Sequence, residues 1–180
     1  MEIEKVLAAE HSKRQCQKVV NYVADDTDRF KKLIQVFLKG PYRITQRAAW
    51  PLSVCVEAYP HLAIPHLPVL IKSPLRPGVH DSVKRNVMRL LQFVEIPKRW
   101  HGRVLELAFN FLNDRREPVA IRVFSMTVIH NIIRQYPYPE LSRELEMILT
   151  EELPHTTAAF RSRGMKILKA LKVRRSSVSG

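Results

Sequence analysis

Between Thr27 and Lys39 the residues Phe30, Leu33, Ile34, Phe37 and Leu38 fall three and four apart, which lays one apolar stripe along a helix whose opposite side is charged. Trp100, Val104, Leu107, Ala108 and Phe111 repeat the pattern. So do Leu141, Leu145, Ile148 and Leu149, in a segment that opens with Pro139 and Glu140, residues suited to a first helical turn. Segments of a second kind alternate with these. Val119 to Ile133 is apolar on nearly every side, interrupted mainly by Arg122, Ser125, Thr127, His130 and Asn131, so a helix there needs neighbours on both flanks. Ile44 to Tyr59 behaves likewise, with a bend expected at Pro51, which lacks a backbone donor and crowds the preceding turn. Thr156 to Lys172 returns to a single stripe of Phe160, Gly164, Ile167, Leu168 and Leu171. Its other side carries Arg163, Lys166, Lys169 and Lys172, the polar outer face that a terminal repeat requires.

These segments recur at a fixed interval. Arg14, Arg47, Arg85, Arg122 and Arg161 are 33, 38, 37 and 39 residues apart, and each opens an apolar stretch of helical period. Pro41, Pro60, Pro77, Pro97, Pro118, Pro137 and Pro154 follow at 17 to 21 residues, room for one helix and one turn each. Two helices per unit of this length predict an all-α chain of about five helix pairs stacked on a continuous core. Only 5 glycines against 12 prolines argue against a sheet built on glycine-dependent hairpins. The expected organisation is one repeat domain over residues 1–172 and a disordered basic C-terminal tail over 173–180.

Phe111-Leu112-Asn113-Asp114 followed by Pro118-Val119-Ala120-Ile121-Arg122 resembles the core of a HEAT repeat, in which a first helix ends in leucine and aspartate and a second begins with valine and arginine. Further copies surround Arg47, Arg85 and Arg161. The resemblance, to HEAT-like and armadillo-like repeat proteins, implies a right-handed α-α superhelix and spans nearly the whole chain. It also implies that the repeated arginines serve in ion pairs between repeats, here Arg122 with Asp114. The positions eight residues before Arg47, Arg85 and Arg161 hold Lys39, Pro77 and Leu153, so those arginines lack the family's acid. An unpaired buried arginine is costly, so they are expected to be exposed, paired elsewhere, or open to an external anion.

The chain carries 30 Lys and Arg against 17 Asp and Glu, a formal charge of +13 spread over both halves. A field of that sign favours acidic or phosphate-bearing partners. Arg43 with Arg47, Arg85 with Arg89, and Arg163 with Lys166 share helix faces at three- or four-residue spacing, and they form the candidate anion or nucleic-acid site. No Gly-rich phosphate loop, metalloprotease helix or nucleophile elbow is present. No metal and no cofactor is expected: Cys16 and Cys55 read as core thiols of a reducing compartment, and His61 and His66 are out of register for one ion. One branch of HEAT-like proteins comprises DNA glycosylases with tryptophans and an aspartate in a cleft. Trp50 and Trp100 have no acid in the matching position and read as packing residues.

The expected function is therefore that of a non-catalytic, cytoplasmic scaffold that binds a protein partner through the concave face of its repeats, with no membrane association. Nucleic-acid binding along a basic stripe is the alternative, and glycosylase-like repair a more distant one. Partner identity and oligomeric state do not follow from the sequence.

Overall fold

Helix starts in this chain are set by local chemistry. In the computed structural model, which describes residues 1–178 and the side chains through Val173, Ser12 accepts a hydrogen bond from Gln15 N at 3.2 Å and so caps α2 (Lys13–Val23). Asp26 does the same for α3 (Thr27–Lys39) through Arg29 N at 2.9 Å. Pro41 and Pro118 stand immediately before α4 (Tyr42–Ala58) and α8 (Val119–Gln135), and Pro139 opens α9 (Pro139–Glu152). With α1 (Ile3–Ala9), α5 (Leu67–Lys72), α6 (Asp81–Leu91), α7 (His101–Asn113) and α10 (Ala158–Val178), the described residues hold ten α-helices in five successive pairs and no strand. The member that departs from the pattern is α5. Pro60, Pro65 and Pro74 place it between two 3-10 segments, so much of what would be a full first helix is tighter turn.

Backbone contacts gather into two compact units, Met1–Pro97 and Lys98–Gly180. In the first, the stripe of α3 (Phe30, Leu33, Ile34, Phe37) is buried and packs against α4, whose Ala48, Leu52, Cys55 and Val56 are also buried. α4 remains one helix from Tyr42 to Ala58 with Pro51 inside it. Both cysteines are free and buried here. Burial, together with the neighbouring Cys16, pushes the Cys55 thiol up to about 12, and burial raises Cys16 as well. Thiolate is the attacking species. The folded protein at pH 8 should therefore resist an aromatic disulfide reagent over an hour and release both thiols once unfolded in guanidinium. Rapid titration of either thiol in the folded state would contradict this packing.

In the second unit α8 has Ile121, Val123, Met126, Val128, Ile129, Ile132 and Ile133 buried, and it is flanked by α7 on one side and α10 on another, as its all-round apolar sequence demanded. α10 buries Phe160, Ile167 and Leu171. Gly164 lets it lie close to the end of α9: a Cβ there would stand 3.2 Å from Leu153 Cδ2 and 3.6 Å from Leu149 Cδ2. α10 runs through Val178, six residues past the 172 boundary expected for the repeat domain. The side chains of 174–178 and all of 179–180, within the expected disordered tail, lie outside the described residues.

Candidate functional site

Arg47, Arg122 and Arg161 among the recurrent arginines find an acceptor that spacing alone did not suggest. Each α-helix ends with carbonyls that have no intrahelical donor and with the negative end of the helix dipole. Arg47 Nη1 donates to Leu7 O at 2.7 Å and Ala8 O at 2.9 Å, at the end of α1. Arg122 Nε donates to Leu112 O at 2.9 Å, at the end of α7. Arg161 donates through Nε and Nη2 to Leu153 O and Thr156 O, both at 3.3 Å, just beyond α9. Arg47, Arg122 and Arg161 thus each clamp the C-terminal end of another helix.

Arg122 also makes an ion pair, and its partner corrects the sequence expectation. Its Nη2 lies 2.6 Å from Glu152 Oε2, and its guanidinium sits 4.8 Å from the centre of the Phe160 ring. Asp114 is held in its own turn, where its carboxylate accepts from the backbone N, Nε and Nη2 of Arg116, each at 2.9 Å. Glu152 accepts from Arg115 as well, at 2.6 Å. Burial alone would raise the Glu152 carboxyl, but the hydrogen bonds and charges of Arg122 and Arg115 outweigh it and hold the group below its ordinary value. A depressed folded-state value means stability that is present above the unfolded carboxyl value, about 4.3, and is lost as pH falls through the folded one. The destabilisation caused by Glu152→Gln should accordingly be full at pH 7 and shrink below about pH 4, measured by urea unfolding of wild type and variant across pH. A penalty that is constant from pH 7 to 3 would contradict the ionised pair.

The candidate binding residues divide differently. Arg43, Gln46 and Arg47 occupy i, i+3 and i+4 on α4 and therefore one face. With Arg85 of α6 and His11 from the link before α2, they line one open groove of about 420 Å³ in the first unit. Arg43 and Arg85 are exposed and have no hydrogen-bond or ion-pair partner among the described residues. Arg47 is half-buried and spends only Nη1 on the α1 carbonyls, which leaves its Nε and Nη2 edge free of protein partners. No carboxylate lines the groove. Arg89 is exposed one turn beyond Arg85 but is not part of the lining. Arg163 and Lys166 belong to the second unit. There Arg163 Nη1 donates to Thr127 Oγ1 at 3.0 Å, which ties α10 to α8, while Lys166 is exposed.

Trp50 departs from the packing role expected of it. One turn beyond Arg47 on α4, it is 37 % exposed and meets the His11 ring edge-on, with centroids 5.7 Å apart. Trp100 is half-buried, with the Arg103 guanidinium 5.4 Å from its ring centre. The helical spacing of Arg43, Gln46, Arg47 and Trp50 could have revealed this common face. His11 lies in an irregular link and carries no periodic signal.

Among the described residues no group of three or more His, Cys, Asp or Glu is placed to hold a metal ion, and no single helix is long and apolar enough to cross a membrane. Neither the curated proteins nor the solved structures contain a significant match to the chain. The family model described as HEAT repeat domain matches residues 3–171, nearly the whole of it. With paired helices across that span and a repeat arginine clamping helix ends, the chain belongs to the HEAT repeat domain family.

Proposed function

We propose that this chain is a non-catalytic, cytoplasmic binding scaffold that holds an acidic protein partner at the arginine groove of its first unit. The observation that carries the reading is the convergence of Arg43, Arg47 and Arg85 on one groove with no acid among its walls, two of them without a partner among the described residues. A charged group kept in that state costs nothing while water solvates it, and it is free to pair with an incoming carboxylate or phosphate. Family membership supports a scaffold, since stacked helix pairs present side chains over extended surfaces. The two buried, protonated thiols suit a reducing compartment.

Nucleic acid is the second reading, favoured by one specific feature. α2 presents Lys13 and Lys18, both exposed and without partners among the described residues, beside the groove's His11 in sequence. Both readings are tested by placing a photo-crosslinking amino acid at position 89, just outside the lining, in an otherwise native full-length chain. Irradiation in cells should trap proteins with acidic segments, with the yield cut severely by Arg43→Glu/Arg85→Glu. Crosslinks to RNA or DNA alone would select the second reading, and crosslinks unaffected by the charge reversal would remove the groove from both.

A further inference from the structure

The charge and donor arrangement of the groove specifies more than acidity. We propose that it is a subsite for a phosphoryl group borne by a phosphoserine or phosphothreonine side chain of the partner. The inference rests on the acidic-partner reading and narrows it.

Three guanidinium groups face one cavity with no carboxylate among the lining residues. Like charges so placed repel, and a single carboxylate neutralises only one of them. A phosphoryl group carries about 1.5 to 2 negative charges near pH 7 and presents three strong acceptor oxygens. Its donors come from three separate positions. Arg43 and Arg85 bring complete guanidinium forks from α4 and α6. Arg47 is held by its Nη1 bonds to Leu7 O and Ala8 O, so its Nε and Nη2 edge, the side-on fork that suits oxyanions, is free without the entropy loss of a swinging side chain. A carboxylate has two oxygens in one plane and matches one fork well. Three forks match a tetrahedral group.

The volume, about 420 Å³, exceeds what one phosphoryl group fills and leaves room for the residue that carries it. His11 and Gln46 complete the lining beside the arginines, and the His11 ring is braced edge-on by the indole of Trp50, which stands outside the lining. Arg89 is exposed one turn beyond Arg85 but outside the lining, and two other arginines of this unit are engaged elsewhere. Arg14 is drawn to Glu10 at 3.6 Å, and Arg29 is committed to Asp26 at 3.3 Å and to Tyr22 O at 2.8 Å. The cationic focus fits one phosphoryl group better than the repeated phosphates of a nucleic-acid strand, which would also call on Lys13 and Lys18 of α2.

The test is an NMR titration of the full-length chain that follows arginine Nε–Hε signals. The probes are N-acetyl-phosphoserine-N-methylamide, its glutamate counterpart, inorganic phosphate and a uridylate hexamer. The capped phosphoserine should shift the Arg47 and Arg85 signals saturably, with affinity at least about tenfold above the capped glutamate. Arg43→Ala/Arg85→Ala should abolish the shifts, and Lys13→Glu/Lys18→Glu should leave them unchanged. Both arginines are exposed and unpartnered, so the double variant keeps its fold, checked by circular dichroism. Equal affinity for phosphoserine and glutamate would overturn the phosphoryl assignment and leave the acidic partner standing. Inorganic phosphate binding as tightly as the capped residue would overturn the protein-borne source. Tighter uridylate binding that is lost in Lys13→Glu/Lys18→Glu would replace it with a nucleic-acid site. No response to any anion would remove the acidic-partner reading too.

Discussion

Replacing Arg122 by alanine is expected to destabilise the second unit by about 3 kcal/mol or more, the largest effect of any polar substitution in the chain. Three losses coincide. The buried Leu112 carbonyl loses the Nε donor that serves it at 2.9 Å. Glu152, 13 % exposed, loses the buried one of its two arginine partners, each at 2.6 Å, and keeps only Arg115, itself 65 % exposed and softened by solvent. The Phe160 ring loses the guanidinium stacked against it. For an isolated buried pair the cost of removing one member is about 3–5 kcal/mol, and the surviving Arg115 contact argues for the lower end. Arg122→Lys should recover only part of the loss, because an ammonium cannot serve the carbonyl, the carboxylate and the ring together. The double change Arg122→Met/Glu152→Leu should be milder than Arg122→Ala alone, since it leaves no charge unpaired. Guanidinium unfolding followed by Trp100 fluorescence in a Trp50→Phe background reads the second unit selectively. A loss below about 1 kcal/mol for Arg122→Ala would place this arginine among surface residues of little consequence.

The second large effect is functional. Arg43→Glu/Arg85→Glu should weaken binding of an acidic polypeptide by about 100-fold, since each reversal removes a charge-assisted contact and adds a repulsion, together at least about 2.8 kcal/mol. The melting temperature should change by no more than about 2 °C, because neither side chain bonds to any of the described residues. Arg47→Glu is a different experiment. It also removes the clamp on the end of α1, so it should lower both binding and stability. Comparing the two variants separates a residue that holds the groove from residues that only face it.

Much of the architecture was legible because helical periodicity is local. The stripe of α3, the all-round apolarity of α8 between two neighbours, and the proline positions near helix starts each follow from a dozen residues or fewer. What stayed hidden depends on distance in the chain. The motif spacing pointed Arg122 at Asp114, but an aspartate at a helix end is readily captured by its own turn, and here Arg116 takes it. The actual partner, Glu152, lies 30 residues on, at the end of α9. Likewise nothing near Arg47 signals that the carbonyls of Leu7 and Ala8, 40 and 39 residues earlier, would receive it. Trp50 misled for another reason. It stands among the apolar residues of α4, yet by spacing it shares the face of Arg43, Gln46 and Arg47 that the core does not cover.

The measurement that bears most directly on the groove is a fluorescence-anisotropy titration of labelled polyglutamate across a salt series, with wild type and Arg43→Glu/Arg85→Glu. The account predicts saturable binding to wild type that weakens steeply as salt rises and falls by about 100-fold in the variant at low salt. Equal binding by both proteins, or none by wild type at low salt, would contradict the assignment of the arginine groove as the binding site.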